Sequence, residues 1–239
     1  MTLQGLIDYF RKQVSDEAAP YLWDDTESLL FAIDAQDMFV RKIGGISCNT
    51  VAAASDPSNL QLHDLVLTAN TPYTAFSPYI LRIRSGKLLT AKLGVEFISE
   101  YEVPRSSIQS HDYDNTVRVP YYLDDTDTGV VSKAIIGIVD KQVRWFKVPN
   151  SSDTCRLHVY RLPYPRITDQ DSALEIEEQH HIHLVKWMKH MAYAKEDAET
   201  YDKDLSERNE KAFMAYCDDA KAELDRQRFK PRIVRYGGL

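Results

Sequence analysis

Residues 157–239 read LHVYRLPYPRITDQDSALEIEEQHHIHLVKWMKHMAYAKEDAETYDKDLSERNEKAFMAYCDDAKAELDRQRFKPRIVRYGGL, and this stretch decides the fold class. A strand-like run ends at Arg161-Leu162-Pro163, and a long acidic helical stretch follows. Leu184, Met188, Met191 and Ala192 share one face of a first helix. The charged residues 195–204 predict a break. Tyr201, Leu205, Phe213, Tyr216, Cys217, Ala220 and Leu224 then carry helical spacing on toward Phe229. Pro231 ends it, since proline has no N–H to give and clashes with the preceding turn. A short basic tail closes the sequence.

Working back to the beginning, Leu3, Leu6, Ile7, Phe10 and Val14 form another apolar stripe at helical spacing, which Pro20 interrupts. Asp24 and Glu27 stand at capping-box spacing, with a carboxylate where a hydroxyl is usual. The helix that follows carries Leu29, Ile33, Gln36, Val40 and Ile43 along one side. Gly44-Gly45 stops it, because glycine accepts the left-handed conformation beyond a helix end.

Between these helical ends the pattern is that of strands. Residues 65–67, 79–84, 134–139, 143–148 and 157–161 are apolar or alternating runs separated by turn signals. In the second of them Tyr79, Leu81 and Ile83 fall on one face, with Ile80, Arg82 and Arg84 on the other. Residues 124–129, DDTDTG, predict a turn or exposed loop. Residues 85–133 give no clear pattern. The reading is an α+β chain: N- and C-terminal helices packed as one bundle, with an antiparallel β insertion of about five strands, since short strands at this spacing leave no room for βαβ units. The expected divisions are 1–45 as an N-terminal helical hairpin, 60–163 as the β insertion, 172–229 as the C-terminal helices and 230–239 as an arm.

The 239 residues are enough to bury a sizeable core, and 44% hydrophobic with 27% charged residues is ordinary for a globular protein. The net charge of −7 argues against a general nucleic-acid binder, which needs clustered Lys and Arg. Cys48, Cys155 and Cys217 are widely separated and form no C-x-x-C pair, so reduced thiols are expected. Residues 1–10 carry no leader pattern, and no apolar run has the length of a membrane span.

Glu177, His180 and His181 are the candidate metal-binding set. At i, i+3 and i+4 they share a helix face, and a carboxylate with two imidazoles suits zinc or iron. The competing reading is a first helical turn with its acid near the positive dipole end and its histidines touching neighbours. Glu196, Asp197, Glu199, Asp202, Asp204 and Glu207 read as a solvated helix face, because they lack the glycine and alternating oxygens of a calcium loop. There is no G-x-S-x-G, P-loop or G-x-G-x-x-G, and nothing local activates Cys48. No cofactor, metal or catalytic residue is assigned. In the tail, Arg226, Arg228, Lys230, Arg232 and Arg235 are interleaved with Phe229, Ile233 and Tyr236. Arg and aromatic residues dominate interface hot spots, so an interaction arm is expected there.

Several segments, in order, resemble the head-to-tail adaptor (neck) proteins of tailed bacteriophages. They are residues 21–30, YLWDDTESLL, leading into Ile33-Asp34-Ala35-Gln36; residues 78–83, PYILRI; residues 159–163, VYRLP; residues 175–180, EIEEQH, with Leu184-Val185-Lys186-Trp187; and residues 197–202, DAETYD, with Phe213. Asp24 stands where such proteins commonly have Ser, and Glu177 where Pro is frequent. The resemblance implies a dodecameric homo-oligomeric ring in the virion, at the neck below the portal protein, assembled in the host cytoplasm. Such a ring extends the DNA channel, lets DNA pass without specific binding and gives a platform to a tail protein, the nozzle or tail tube. It also implies that the C-terminal arm engages the portal, here through Phe229, Arg232, Ile233, Arg235 and Tyr236. A net negative channel wall would repel phosphates and suit sliding DNA. Two alternatives remain: a metal-dependent enzyme built on Glu177, His180 and His181, and a different structural tail component.

Overall fold

The N-terminal apolar stripe folds as helix α1 (Leu3–Gln13), capped by Thr2, whose Oγ1 accepts from the Gly5 N–H at 3.1 Å. Leu3, Leu6, Ile7 and Phe10 are fully buried, and Val14, at the C-cap, is half-buried. Helix α2 (Asp25–Ile43) begins where Asp24 accepts from the Glu27 N–H at 2.6 Å. The reciprocal half of the capping box is not made: the Glu27 carboxylate instead meets Lys195 Nζ at 2.6 Å. Gly44 ends α2 at φ 88°, as its position after the apolar stripe predicts. The buried side of α2 is wider than expected. Ala32, Ala35 and Phe39 join Ile33, Gln36, Val40 and Ile43, while Leu29 is only half-buried. The reason is that α2 packs against two further helices, α3 (Glu178–Ala194) and α4 (Lys203–Arg228), as well as α1.

The break between α3 and α4 falls within the charged run. Asp202 starts α4: its carboxylate accepts from the Leu205 N–H and its carbonyl from the Ser206 N–H, both at 2.9 Å. The stripe that α4 buries is narrow: Ser206, Phe213, Cys217 and Ala220. Tyr201 and Leu205, expected on that stripe, are exposed, because Tyr201 precedes the cap and Leu205 lies on the flank of the helix. The structure, a computed structural model, describes residues 1–48, 62–102, 125–164, 167, 173–196 and 200–228. The chain divides into a helical unit, Met1–Ile46 with Leu162–Leu239, and a sheet unit, Ser47–Arg161.

The strands are β1 (Ile46–Cys48), β2 (Asp64–Leu67), β3 (Tyr73–Ala75), β4 (Ile80–Leu88), β5 (Gly94–Ser99), β6 (Thr128–Gly129), β7 (Lys133–Ile136), β8 (Gln142–Trp145), β9 (Val148–Pro149) and β10 (Asp153–Arg161). Eight belong to one sheet in the order β1-β10-β4-β5-β7-β8-β3, with β2 also beside β10; β6 and β9 form a separate pair. The class is α+β with a mostly antiparallel sheet. Two details depart from the expectation of about five antiparallel strands. Pairs β5–β7 and β6–β9 are parallel, which requires the long connections that follow β5 and β6. Within the expected loop 124–129, Thr128 and Gly129 are strand β6, beside Val148 and Pro149.

The alternation expected along 79–84 is also corrected. Ile80, assigned to the polar face, is 1% exposed. The register against β10 runs Arg161↔Ile80, Tyr160↔Arg82, Val159↔Ile83 and His158↔Ser85, so Leu81 and Arg84 have no opposite residue. Each is the extra residue of a bulge, and each shifts the following side chains to the other face. Ile80, Ile83 and Leu88 thereby all reach the core, with Val95, Ala134, Val143, Trp145, Cys155, Leu157 and Val159. Gly86 lies in the same layer. A Cβ there would sit 2.7 Å from Cys155 Sγ and 2.8 Å from a Phe97 ring carbon, so only glycine fits.

Candidate functional site

The histidine-rich first turn of α3 becomes part of the seam between α3 and α4. Glu177 occupies the N-cap position without capping, and its carboxylate accepts from Gln179 Nε2 at 2.7 Å. His180 Nδ1 lies 2.8 Å from the Tyr216 hydroxyl, with its ring 4.8 Å from that of Phe39. Both nitrogens of His181 face carbonyl oxygens, Met1 O at 3.1 Å and Ile176 O at 2.9 Å. His183 stacks on Tyr216 at 3.6 Å and 14°. Burial holds His180 and His183 below the ordinary imidazole value; Glu177 and Glu223 oppose this at His180, whereas Lys186 and His180 add to it at His183. Carbonyls only accept, so an N–H of His181 is committed to one of these oxygens, and the other ring nitrogen also faces a carbonyl rather than an open coordination position. Among the described residues no group of three His, Cys, Asp or Glu side chains is placed to hold a metal ion.

The acidic stretch is local helix chemistry. Asp202 caps α4, and Glu207 lies between Lys203 at 3.8 Å and Lys211 at 3.4 Å. Asp197 and Glu199 lie outside the described residues. Burial pushes the thiols of Cys155 and Cys217 up to about 12, so neither is a nucleophile at neutral pH. Cys48, on β1, is half-buried.

Two Ser–His pairs that no sequence motif announces appear in the folded chain. Ser206 Oγ donates to the His190 carbonyl at 3.1 Å, so at 2.9 Å it accepts from His190 Nδ1; its proton is held by the backbone and it is not activated. In the sheet unit, Ser47 Oγ lies 3.1 Å from His158 Nε2, and among the described residues no carboxylate orients that imidazole. Both pairs lack the oriented base that a hydroxyl nucleophile requires.

A polar centre that sequence reasoning missed lies between α1 and α2. Asp16, with its side chain 3% exposed, accepts from Arg11 Nη1 at 3.2 Å, the Leu22 N–H at 2.9 Å and the Trp23 N–H at 3.4 Å. Arg11 also meets Asp25 at 2.7 Å and lies over the Tyr21 ring at 3.6 Å. This fixes the YLWDD segment so that Trp23 packs edge-on against Phe10 and Tyr193. The only available signal was the proximity of an acid to that motif, because the pairings cross a loop.

The arm residues Phe229, Arg232, Ile233, Arg235 and Tyr236 lie outside the described residues. The root of the arm is described: Arg228, the last residue of α4, donates to the Gly45 carbonyl at 3.3 Å, just beyond the C-cap of α2. No helix of the described residues is long and apolar enough to cross a membrane.

No curated protein matches the chain. A family model described as SU10 adaptor protein matches residues 1–235, which takes in both structural units and every segment quoted above for the resemblance to phage adaptors. The match spans nearly the whole chain, and the chain belongs to the SU10 adaptor protein family.

Proposed function

We propose that this protein is a structural head-to-tail adaptor of a tailed phage and performs no catalysis. It assembles as a dodecameric ring beneath the portal protein, continues the DNA channel without binding DNA specifically, and presents a platform to the nozzle or tail-tube protein. It is assembled in the host cytoplasm and resides in the neck of the virion. The observation that carries this reading is the family match across residues 1–235. The N- and C-terminal helices act as one bundle, 1–45 with 172–229, and residues 60–163 as its insertion. Arm residues Phe229, Arg232, Ile233, Arg235 and Tyr236 engage the portal. The anchoring of Arg228 on Gly45 supports this role, since it fixes the point from which the arm departs.

The test is to mix purified protein with the portal of the same virus and image the product by electron microscopy. A second ring stacked below the portal is expected. Removal of residues 230–239 should abolish that association while leaving the melting profile unchanged. Intact binding by the truncated chain would refute the role of the arm, and folded partners that do not associate would refute the adaptor reading.

A further inference from the structure

The whole net charge of −7 resides in the helical unit; the sheet unit, Ser47–Arg161, has equal numbers of acidic and basic residues. Within that neutral unit the cations are unevenly placed. Residues directly opposite in an antiparallel pair share a face of the sheet. The β10–β4 register sets Arg156 opposite Lys87, His158 opposite Ser85 and Tyr160 opposite Arg82. These residues alternate with the inward Leu157, Val159 and Ile83, so they lie on the outer face. Arg84, displaced by its bulge, is exposed, and its charge lowers the pKa of His158 after the larger effect of burial. Arg156 is held by Asp64 through two N–H groups at 3.0 Å. Arg82, Arg84 and Lys87 are exposed, and among the described residues none has a carboxylate within ion-pair distance.

We infer that Arg82, Arg84 and Lys87 form a docking strip whose occupant is the acidic helical unit of a second copy of this chain. The inference rests on the ring proposed above. Copies that each carry −7 repel one another unless their contact pairs opposite charges. A head-to-tail contact in a ring joins two different surfaces of the same chain. This chain supplies both: cations on the sheet that have no carboxylate partner among the described residues, Arg82 resting only over the Tyr160 ring, and surplus acid on the helical unit. Exposed Asp218, Asp219 and Glu223 on α4 are the complement. A nucleic acid fits less well, because the sheet unit has no net positive charge to hold a polyanion and the rest of the chain repels it.

The experiment assembles full-length protein on portal rings and reads ring formation by electron microscopy. The variant R82E/R84E/K87E changes only exposed side chains, and an unchanged melting temperature verifies its fold. It should lose the ring, and adding D218K/D219K/E223K to the same chain should restore it. Zero-length carbodiimide cross-linking of mixed isotope-labelled wild-type copies should join Lys87 of one copy to helical-unit peptides of another. Rings that form equally well with R82E/R84E/K87E overturn the strip and leave the ring reading intact. Absence of rings with wild-type protein overturns both. Links from Lys87 that reach only sheet-unit peptides, or duplex DNA binding lost in the variant while its rings persist, also overturn the proposal.

Discussion

Replacing Asp16 with alanine tests whether one buried carboxylate holds the N-terminal helices together. Its two oxygens serve Arg11, the Leu22 N–H and the Trp23 N–H, and almost no water reaches them. Breaking a buried ion pair costs about 3–5 kcal/mol when the remaining charge has no other partner. Arg11 keeps Asp25 at 2.7 Å and the Tyr21 ring, which moves the cost toward the lower end. Leu22 is exposed and its N–H can turn to water, whereas the Trp23 N–H is buried; leaving it unmatched costs about 1–3 kcal/mol on its own. These losses overlap, so the expected total is about 3 kcal/mol. For a chain of this length that lowers the melting temperature by about 6–12 °C. Urea and thermal unfolding followed by tryptophan fluorescence measure it directly, because Trp23 is adjacent. Asp16→Asn, which keeps the shape and one acceptor, should lose about half as much. A loss below about 1 kcal/mol for Asp16→Ala would show that the loop is held by Trp23 packing alone and would refute the argument.

Gly86→Val should destabilise the sheet unit by about 1–3 kcal/mol, because its Cβ must displace Cys155 and Phe97 from close-packed positions; chemical denaturation of the variant measures it. Acidification should weaken the α3–α4 seam. His180 and His183 have folded-state values below the ordinary one, so the unfolded chain takes up protons first, and their contribution, present above about pH 6.5, is lost as pH falls through the folded values. Denaturation midpoints between about pH 7.5 and 5 should therefore fall, and less steeply in His180→Asn; equal slopes would contradict the assignment. A thiol reagent at about pH 8 should label Cys48 well before Cys155 and Cys217, both raised to about 12, with all three reacting after denaturation, as mass spectrometry of the adducts would show.

What the sequence revealed was what local physics dictates. The stripe of Leu3, Leu6, Ile7 and Phe10, the cap at Asp24 and the stop at Gly44 each depend on neighbours within about one helical turn, and each is in place. Pairings between distant residues were not readable. The bulges at Leu81 and Arg84 depend on how β4 meets β10, so strict alternation misassigned Ile80. Strand β5 escaped notice because GVEFIS is short and its parallel partner β7 begins more than thirty residues later. Glu177, His180 and His181 had the side chains of a metal site, but a site needs converging lone pairs, and Tyr216 and the backbone carbonyls had already claimed the imidazoles. The Asp16 centre had no motif because two of its three donors are backbone groups.

Strands β1 and β10, through which the chain enters and leaves the sheet, are hydrogen-bonded neighbours. Their adjacency matters for the order in which the protein folds. Helices α1 and α2 are separated in sequence from α3 and α4 by the whole sheet unit, and bringing them together across a flexible loop of that length costs about 4 kcal/mol in chain entropy. Once β1 has zipped onto β10, with Ser47 beside His158, the two ends of that loop are held about 10 Å apart and most of the entropy has already been lost. The sheet therefore acts as a clasp for the helices. Mutations that slow β10 pairing should delay formation of the helical core in a kinetic experiment, even though they lie outside it.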